Sequence, residues 1–283
     1  MKNKTIKLYE KTNEGLKCLL CPRLCIIKEG ETGYCCVRKN NNEKIELINY
    51  GVVNAMAVDS ISKKPFKHFL QNSKTLTLAL SSHCSLDCKF CENHKLSQSE
   101  EIKGKVFFAS DVVSDAKEKH CKSICMSYNE PIISYEYLIK LADECHKSNL
   151  KFILKTNAFV NTDPWKEICS KTDAMNVDFK GSKESFRDIT GCSPYVLEDR
   201  IKEAYESGTH IEISIPLYYK DDIFDIEMEN VGKFLSSIDP DIPCHLLRIS
   251  SSYEFSDFVF DHDNLERAKN TLSKYMNNIY LVV

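Results

Sequence analysis

From Thr75 onward the chain alternates short apolar runs with longer stretches of helical pattern, and no other feature limits the fold as much. The apolar runs are Thr75–Leu80, Ile124–Ser127, Phe152–Leu154, Ala174–Val177, Ile211–Ile215 and Leu246–Ile249. Helix-like stretches lie between them at Asp111–Lys119, Ser134–His146, Pro164–Ser170, Leu197–Ser207 and Ile226–Ser237. Pro164 suits a first helical position, with Asp163 as its N-cap. Short buried strands separated by helices make βα units and a parallel sheet. A last unit, Asn264–Asn277 followed by IYLVV, adds a helix and a short edge strand. Upstream, Lys44–Asp59 is rich in β-branched residues around a Tyr50-Gly51 break and is expected to form two short strands, arranged as a hairpin. The length of 283 residues fits an α/β barrel at 73–283 preceded by a cysteine-rich module and connector at 1–72. There is no internal repeat.

Immediately after the first apolar run come Cys84, Cys88 and Cys91, spaced C-x3-C-x2-C. Three thiolates this close can hold three irons of a cubic iron–sulfur cluster, since such clusters are bound by cysteine sulfur. Three ligands leave one iron open to an outside ligand. Phe90 sets an aromatic face beside that position. Zinc fits less well, because structural zinc sites take four ligands. A second group, Cys18, Cys21, Cys25 and Cys35 or Cys36, supplies four thiolates, with Gly30 and Gly33 turning the chain back toward the first three. An auxiliary [4Fe–4S] cluster and a zinc site both suit it, and the close third cysteine favours the cluster. Cys121, Cys125, Cys145, Cys169, Cys192 and Cys244 have no ligand spacing and are expected to pack as small apolar residues.

Fourteen cysteines without a signal-peptide core at the N-terminus point to a cytoplasmic, reducing setting and to metal chemistry rather than disulfides. No run is long enough to span a membrane. A net charge of −3 with scattered lysines argues against nucleic-acid binding.

The C-x3-C-x2-C motif with an aromatic before its last cysteine resembles that of the radical S-adenosylmethionine (SAM) superfamily. The resemblance implies a partial (β/α)6 barrel, a [4Fe–4S] cluster whose open iron is chelated by SAM, and reductive cleavage of SAM to a 5′-deoxyadenosyl radical. Further segments carry the likeness in order: the N-terminal CLLCPRLCIIKEGETGYC from Cys18 to Cys35, Lys64-Pro65-(x2)-His68-Phe69, Cys91-Glu92-Asn93, Tyr128-Asn129-Glu130-Pro131, Thr156-Asn157 and Asp178-Phe179-Lys180-Gly181. Together they resemble the activating-enzyme-related branch, specifically the radical SAM component of the AmmeMemoRadiSam system, and more distantly the pyruvate formate-lyase activating enzyme.

In parallel barrels ligands sit where the strands end. The resemblance places Asn129 and Glu130 in a Gly-Gly-Glu-Pro-like segment that meets the SAM ammonium. Thr156 and Asn157 fall in an Asp-Thr-Asn-Gly-like segment in which Lys155 replaces the aspartate and can stand in for a cation's charge. Asp178 and Lys180 form an Asp-x-Lys pair close to SAM, and His245 matches a histidine that meets it. Lys63, Lys64 and His68 lie in a basic connector, read as a solvated loop. Polar residues on a barrel strand point inward or carry a desolvation cost, so Glu212 and Ser214 are candidates for SAM ribose or substrate contacts. The function expected is SAM cleavage and hydrogen abstraction from an unknown substrate, with a donor such as flavodoxin or ferredoxin supplying the electron. A glycyl-radical activase acting on a partner's backbone glycine and a non-catalytic electron-transfer module are the alternatives.

Overall fold

The computed structural model describes residues 4–5, 8–193, 195–257 and 259–282. The N-terminal region holds β1 (Lys4–Thr5), β2 (Tyr9–Lys11), β3 (Leu16–Cys18), β4 (Ile26–Ile27), β5 (Arg38–Asn40) and β6 (Ile45–Leu47). These pair antiparallel into two small sheets, β1-β6-β5 and β2-β3-β4. The rest of the chain builds one larger sheet. Its strands are β7 (Val52–Ser60), β8 (Lys74–Leu80), β9 (Lys105–Val106), β10 (Ser123–Met126), β11 (Lys151–Thr156), β12 (Ala174–Asp178), β13 (His210–Pro216), β14 (Cys244–Leu247) and β15 (Ile279–Val282). Helices intervene as α1 (His94–Ser97), α2 (Ala109–Glu118), α3 (Tyr135–Lys147), α4 (Thr162–Lys171), α5 (Lys183–Thr190), α6 (Leu197–Glu206), α7 (Asp221–Ile238) and α8 (Asp263–Leu272).

The sheet order is β15-β14-β13-β12-β11-β10-β8-β7-β9, with every neighbour from β8 to β15 parallel. The fold is therefore the expected α/β partial barrel, with a seventh parallel strand at one end. Side-chain parity explains how it closes over a core. Leu76, Leu78, Ile124, Phe152, Leu154, Met175, Val177, Ile213 and Leu246 form one buried cluster with the apolar faces of the helices. Residues of the other parity meet inside the curve, because successive side chains on a strand face opposite ways. Near the amino ends of the strands the interior is apolar: Cys125, Ile153 and Ala174 pack with Ile61 and Phe66 of the connector. Toward the carboxyl ends it turns polar, with Lys155, Asn176, Asp178 and Ser214 hydrogen-bonded together.

Several local expectations need correction. The Lys44–Asp59 stretch makes two strands but no hairpin: β6 pairs with β1 and β5, whereas β7 pairs antiparallel with β8 and β9. Residues 52–60 thus lie in the large sheet. Helix α4 begins at Thr162 with Asn161 as N-cap, which puts Pro164 in the third helical position. The run Leu246–Ile249 is shifted, since β14 ends at Leu247 and Arg248 follows the strand. Helix α5 was not anticipated, because its eight residues carry only Phe186 and Ile189 as buried apolar anchors. Among the described residues, no helix is long and apolar enough to cross a membrane.

Candidate active site

A cavity of about 410 Å³ opens at the carboxyl ends of the strands, and all three thiols of the C-x3-C-x2-C loop line it. The loop follows β8 directly. Its backbone is pinned by Cys84 N–H donating to Ser97 O (2.6 Å), and by Asp87 and Lys89 N–H donating to Thr190 and Ile189 carbonyls. Cys88 is buried and Cys84 and Cys91 are half-buried. Burial pushes the Cys88 thiol up to about 12 despite the nearby Lys180, and lifts Cys84 well above its ordinary value. A buried thiol of this kind ionises when a metal takes the proton's place. Thiols spread around a cavity are the donor set of a cluster, so these residues fit one.

Opposite the thiols stand the strand ends. Asp178 is held between two ammonium groups, Lys155 Nζ at 2.7 Å and Lys180 Nζ at 2.9 Å. Burial alone would raise its pKa, but the two cations outweigh it and hold the carboxyl well below its ordinary range. Lys155 donates also to Asn176 Oδ1 (2.9 Å) and Ser214 Oγ (3.2 Å), so its three protons are committed. Lys180, 6% exposed, donates to Asp178 and sits 5.9 Å from the Phe90 ring centroid. Phe90 stacks on Tyr218 at 5.0 Å between centroids.

Glu130 lies in the cavity wall with both oxygens engaged. Oε1 accepts from Thr156 Oγ1 (2.7 Å) and Ile132 N–H (3.1 Å), and Oε2 accepts from Asn157 N–H (2.8 Å). Three donors leave room for one more on a carboxylate. Burial still raises its pKa to about 7, against the pull of those donors. Asn157 donates Nδ2–H to the Cys84 sulfur at 3.6 Å, tying this strand end to the cysteine loop. Asn129 donates to Leu80 O and Ser82 Oγ, which fixes the turn after β10. That turn keeps the backbone of a glycine-bearing segment without the glycine: Tyr128 has φ +73°. A non-glycine residue there costs about 1–3 kcal/mol and persists where the surroundings hold it. The hold is visible, because Tyr128 Oη donates to Asp59 (3.0 Å) and Lys64 Nζ lies 4.3 Å over its ring.

The cavity therefore gathers Cys84, Cys88, Cys91, Phe90, Asn129, Glu130, Thr156, Asn157, Asp178 and Lys180. It leaves out two residues expected there. Ser214 turns its hydroxyl to Asn176 Oδ1 (2.6 Å), and His245 is buried against Glu212 at 2.6 Å and stacked on Tyr280. Glu212 is likewise a structural anchor: its carboxylate accepts the N–H groups of Lys67 and His68 (2.8 Å each) and His210 Nε2 (3.0 Å). This network fastens the connector across the amino end of the barrel. It also brings Lys64 into the cavity wall, only 4% exposed and 2.8 Å from Asp59, contrary to its reading as part of a solvated loop. Sequence reasoning missed Gln98 and Pro216, which line the cavity, and Tyr218, which stacks behind Phe90; the aromatic pair Tyr218-Tyr219 just past a strand was the one available signal for the last.

The N-terminal cysteines gather separately. Cys18, Cys21, Cys25 and Cys35 line a second cavity of about 20 Å³, and Cys36 does not. Cys36 adopts φ +59° and turns its thiol to Tyr34 O. Gly30 makes the reversal with φ +79°. The six dispersed cysteines are all buried.

With this geometry in hand, residues 78–231 match the Radical SAM superfamily model, and the chain belongs to that superfamily. Its members are enzymes that carry a [4Fe–4S] cluster and cleave SAM by radical chemistry. The uncharacterized protein MJ0808 of Methanocaldococcus jannaschii is 29% identical over 268 residues, spanning 93% of this chain and 79% of that one. A radical SAM methyltransferase from Sphaerobacter thermophilus superposes with TM-score 0.56 at 13% identity, over 76% of this chain and 67% of its own. Streptococcus suis SuiB bound to S-adenosylmethionine superposes with TM-score 0.54 at 17% identity, over 71% of this chain. The chain spans 45% of SuiB's length. At these identities the two structures speak for the fold alone.

Proposed function

We propose that Cys84, Cys88 and Cys91 hold a [4Fe–4S] cluster, and that the strand ends facing them hold SAM while a substrate gives up a hydrogen atom. The observation that carries this reading is the single cavity shared by the three thiols and by Glu130, Asn157, Asp178 and Lys180. When bound, the cluster and SAM supply one-electron cleavage of a C–S bond, yielding methionine and a 5′-deoxyadenosyl radical. The chain's own residues bind and orient. Lys180 has two ammonium protons beyond the one given to Asp178, enough to bind a carboxylate of SAM or substrate. Glu130 has one acceptor position left for an ammonium. Lys155 supplies fixed positive charge where the activating-enzyme group uses a bound cation, and it does so through Asp178.

The remaining residues keep the site rigid and dry. Phe90, backed by Tyr218, forms part of one wall, and Phe66 packs with Ile61 at the barrel's amino end. Excluding water protects a reactive intermediate from side reactions. A flavodoxin- or ferredoxin-type donor provides the electron, and a reducing cytoplasm keeps the thiols free for metal. The test is anaerobic reconstitution with iron and sulfide, reduction with dithionite, addition of SAM and quantification of 5′-deoxyadenosine. The intact chain is expected to release it and Cys88→Ala to release none. Product from Cys88→Ala at the intact rate would refute the ligand assignment. No product from an intact chain carrying its full iron would favour the electron-transfer module instead.

A further inference from the structure

We infer that Glu227 on α7, together with Tyr195, is a positioning residue that sets where Lys180 presents its ammonium group. The inference rests on the proposed function and takes SAM as the owner of the carboxylate that Lys180 meets. Glu227 is 5% exposed. Its Oε2 accepts Ser182 N–H at 2.9 Å, and its Oε1 accepts the hydroxyls of Ser182 and Ser185 at 2.6 and 2.5 Å. None of these donors is a cation. Burying a carboxylate on neutral donors carries a desolvation cost that an apolar residue would not, so the charge points to a role beyond packing. Ser182 is the N-cap of α5, where a serine hydroxyl ordinarily bonds to its own helix. Here it makes no such bond and goes to Glu227 instead.

What Glu227 holds is the main chain that carries Lys180. Three consecutive residues each have a backbone polar atom taken by a side chain from another part of the fold. Tyr218 Oη donates to Lys180 O at 2.9 Å, and Ser182 N–H goes to Glu227. Between them, Tyr195 Oη donates to Gly181 O at 3.0 Å, closer than Glu198 Oε1 at 3.3 Å. Capping of α5 would account for the bonds to Glu227, but not for two tyrosines on the residues before the helix. Lys180 lines the cavity, whereas Gly181, Ser182, Tyr195 and Glu227 do not. The clamp therefore acts on the ligand through Lys180. That ammonium gives one proton to Asp178 at 2.9 Å and has two left. A side chain rooted in a fixed backbone delivers those protons to one place, and a small displacement of the root weakens what they bind.

The test reads SAM affinity, not turnover. The full chain is reconstituted anaerobically and left oxidised, so that no electron is available for cleavage, and radiolabelled SAM is titrated in by equilibrium dialysis. Lys180→Gln is expected to weaken binding at least about tenfold, the effect of losing a hydrogen bond from a charged group. Glu227→Ala is expected to weaken it about fivefold, and Tyr195→Phe, which removes one hydroxyl and keeps the ring, about threefold. Combined with Lys180→Gln, neither is expected to add more than about 1.5-fold, because residues acting through one another are not additive. A helix cap with no bearing on Lys180 would show no such coupling. Circular dichroism verifies that each variant is folded, and if Glu227→Ala is not, Tyr195→Phe carries the test. Folded Glu227→Ala or Tyr195→Phe chains that bind SAM as tightly as the intact chain would overturn the inference alone. So would losses that multiply with that of Lys180→Gln, or a Lys180→Gln chain of undiminished affinity. An intact chain with its full iron that binds no SAM would overturn the proposed function, and this inference with it.

Discussion

Replacing Glu212 by glutamine tests whether the connector across the barrel's base is held by one buried charge. The carboxylate has no exposure and accepts four N–H groups, two from the backbone of Lys67 and His68 and two from imidazoles. Burial alone would raise its pKa, but these donors outweigh it and bring the value from 4.5 to about 2. At about 1.36 kcal/mol per pH unit of that fall, the charge stabilises the fold by about 3 kcal/mol at neutral pH. Glutamine keeps the shape, yet its NH2 must face a backbone N–H that it cannot accept, leaving a buried donor unpaired at about 1–3 kcal/mol. The expected loss at pH 7 is therefore about 3 kcal/mol, read by urea unfolding of the reduced, metal-free chain with Trp165 as reporter. Trp165 is the only tryptophan and is fully buried. The sign with pH is fixed: a depressed carboxyl pKa gives stability that is complete above about 4.5 and is lost as pH falls toward 2. The gap between intact and Glu212→Gln chains should thus shrink to about 1 kcal/mol near pH 3. A difference below about 1 kcal/mol at pH 7, or a gap that widens in acid, would refute the reasoning.

Three other substitutions probe the rest of the frame. Asp178→Asn leaves Lys155 and Lys180 facing each other without the carboxylate between them, and should lower the rate of 5′-deoxyadenosine release at least about tenfold, since removing one partner of a buried charge pair costs several kcal/mol. Gly181→Ala places a methyl 2.8 Å from Ser185 Cβ and 2.9 Å from Tyr218 Oη at φ +86°, so melting should show a loss of about 2 kcal/mol together with a lower SAM-cleavage rate. Glu136→Gln strips Arg38 of its partner where the N-terminal module meets α3, and should cost about 3–5 kcal/mol in urea unfolding, more than Arg38→Met costs.

The strands and their order were legible because buried parallel strands write themselves as short apolar runs between helical stretches. Their ends were blurrier. Leu247, Arg248 and Ile249 form one continuous pattern in sequence, and only pairing with β15 shows where the strand stops. The cysteine loop was legible from spacing alone. The polar strand residues were harder, because Ser214 and His245 carry the same inward parity as Asp178. What separates them is which neighbour claims the side chain: Asn176 and Lys155 take Ser214, and Glu212 takes His245. Glu212 in turn serves residues more than 140 positions upstream, a partnership with no local signature. That Cys35 and not Cys36 lines the second cavity was likewise invisible in spacing; Cys36 adopts φ +59° and turns its thiol to Tyr34 O.

The account depends most on the open coordination position left by three thiolates, and EPR reads it directly. The Cys18→Ser/Cys25→Ser chain, reconstituted and reduced so that only the Cys84, Cys88 and Cys91 centre contributes, is measured before and after addition of SAM. SAM is expected to change the g values of the reduced cluster, as binding at one iron must. An unchanged spectrum at saturating SAM, from a chain holding its four irons, would contradict the claim.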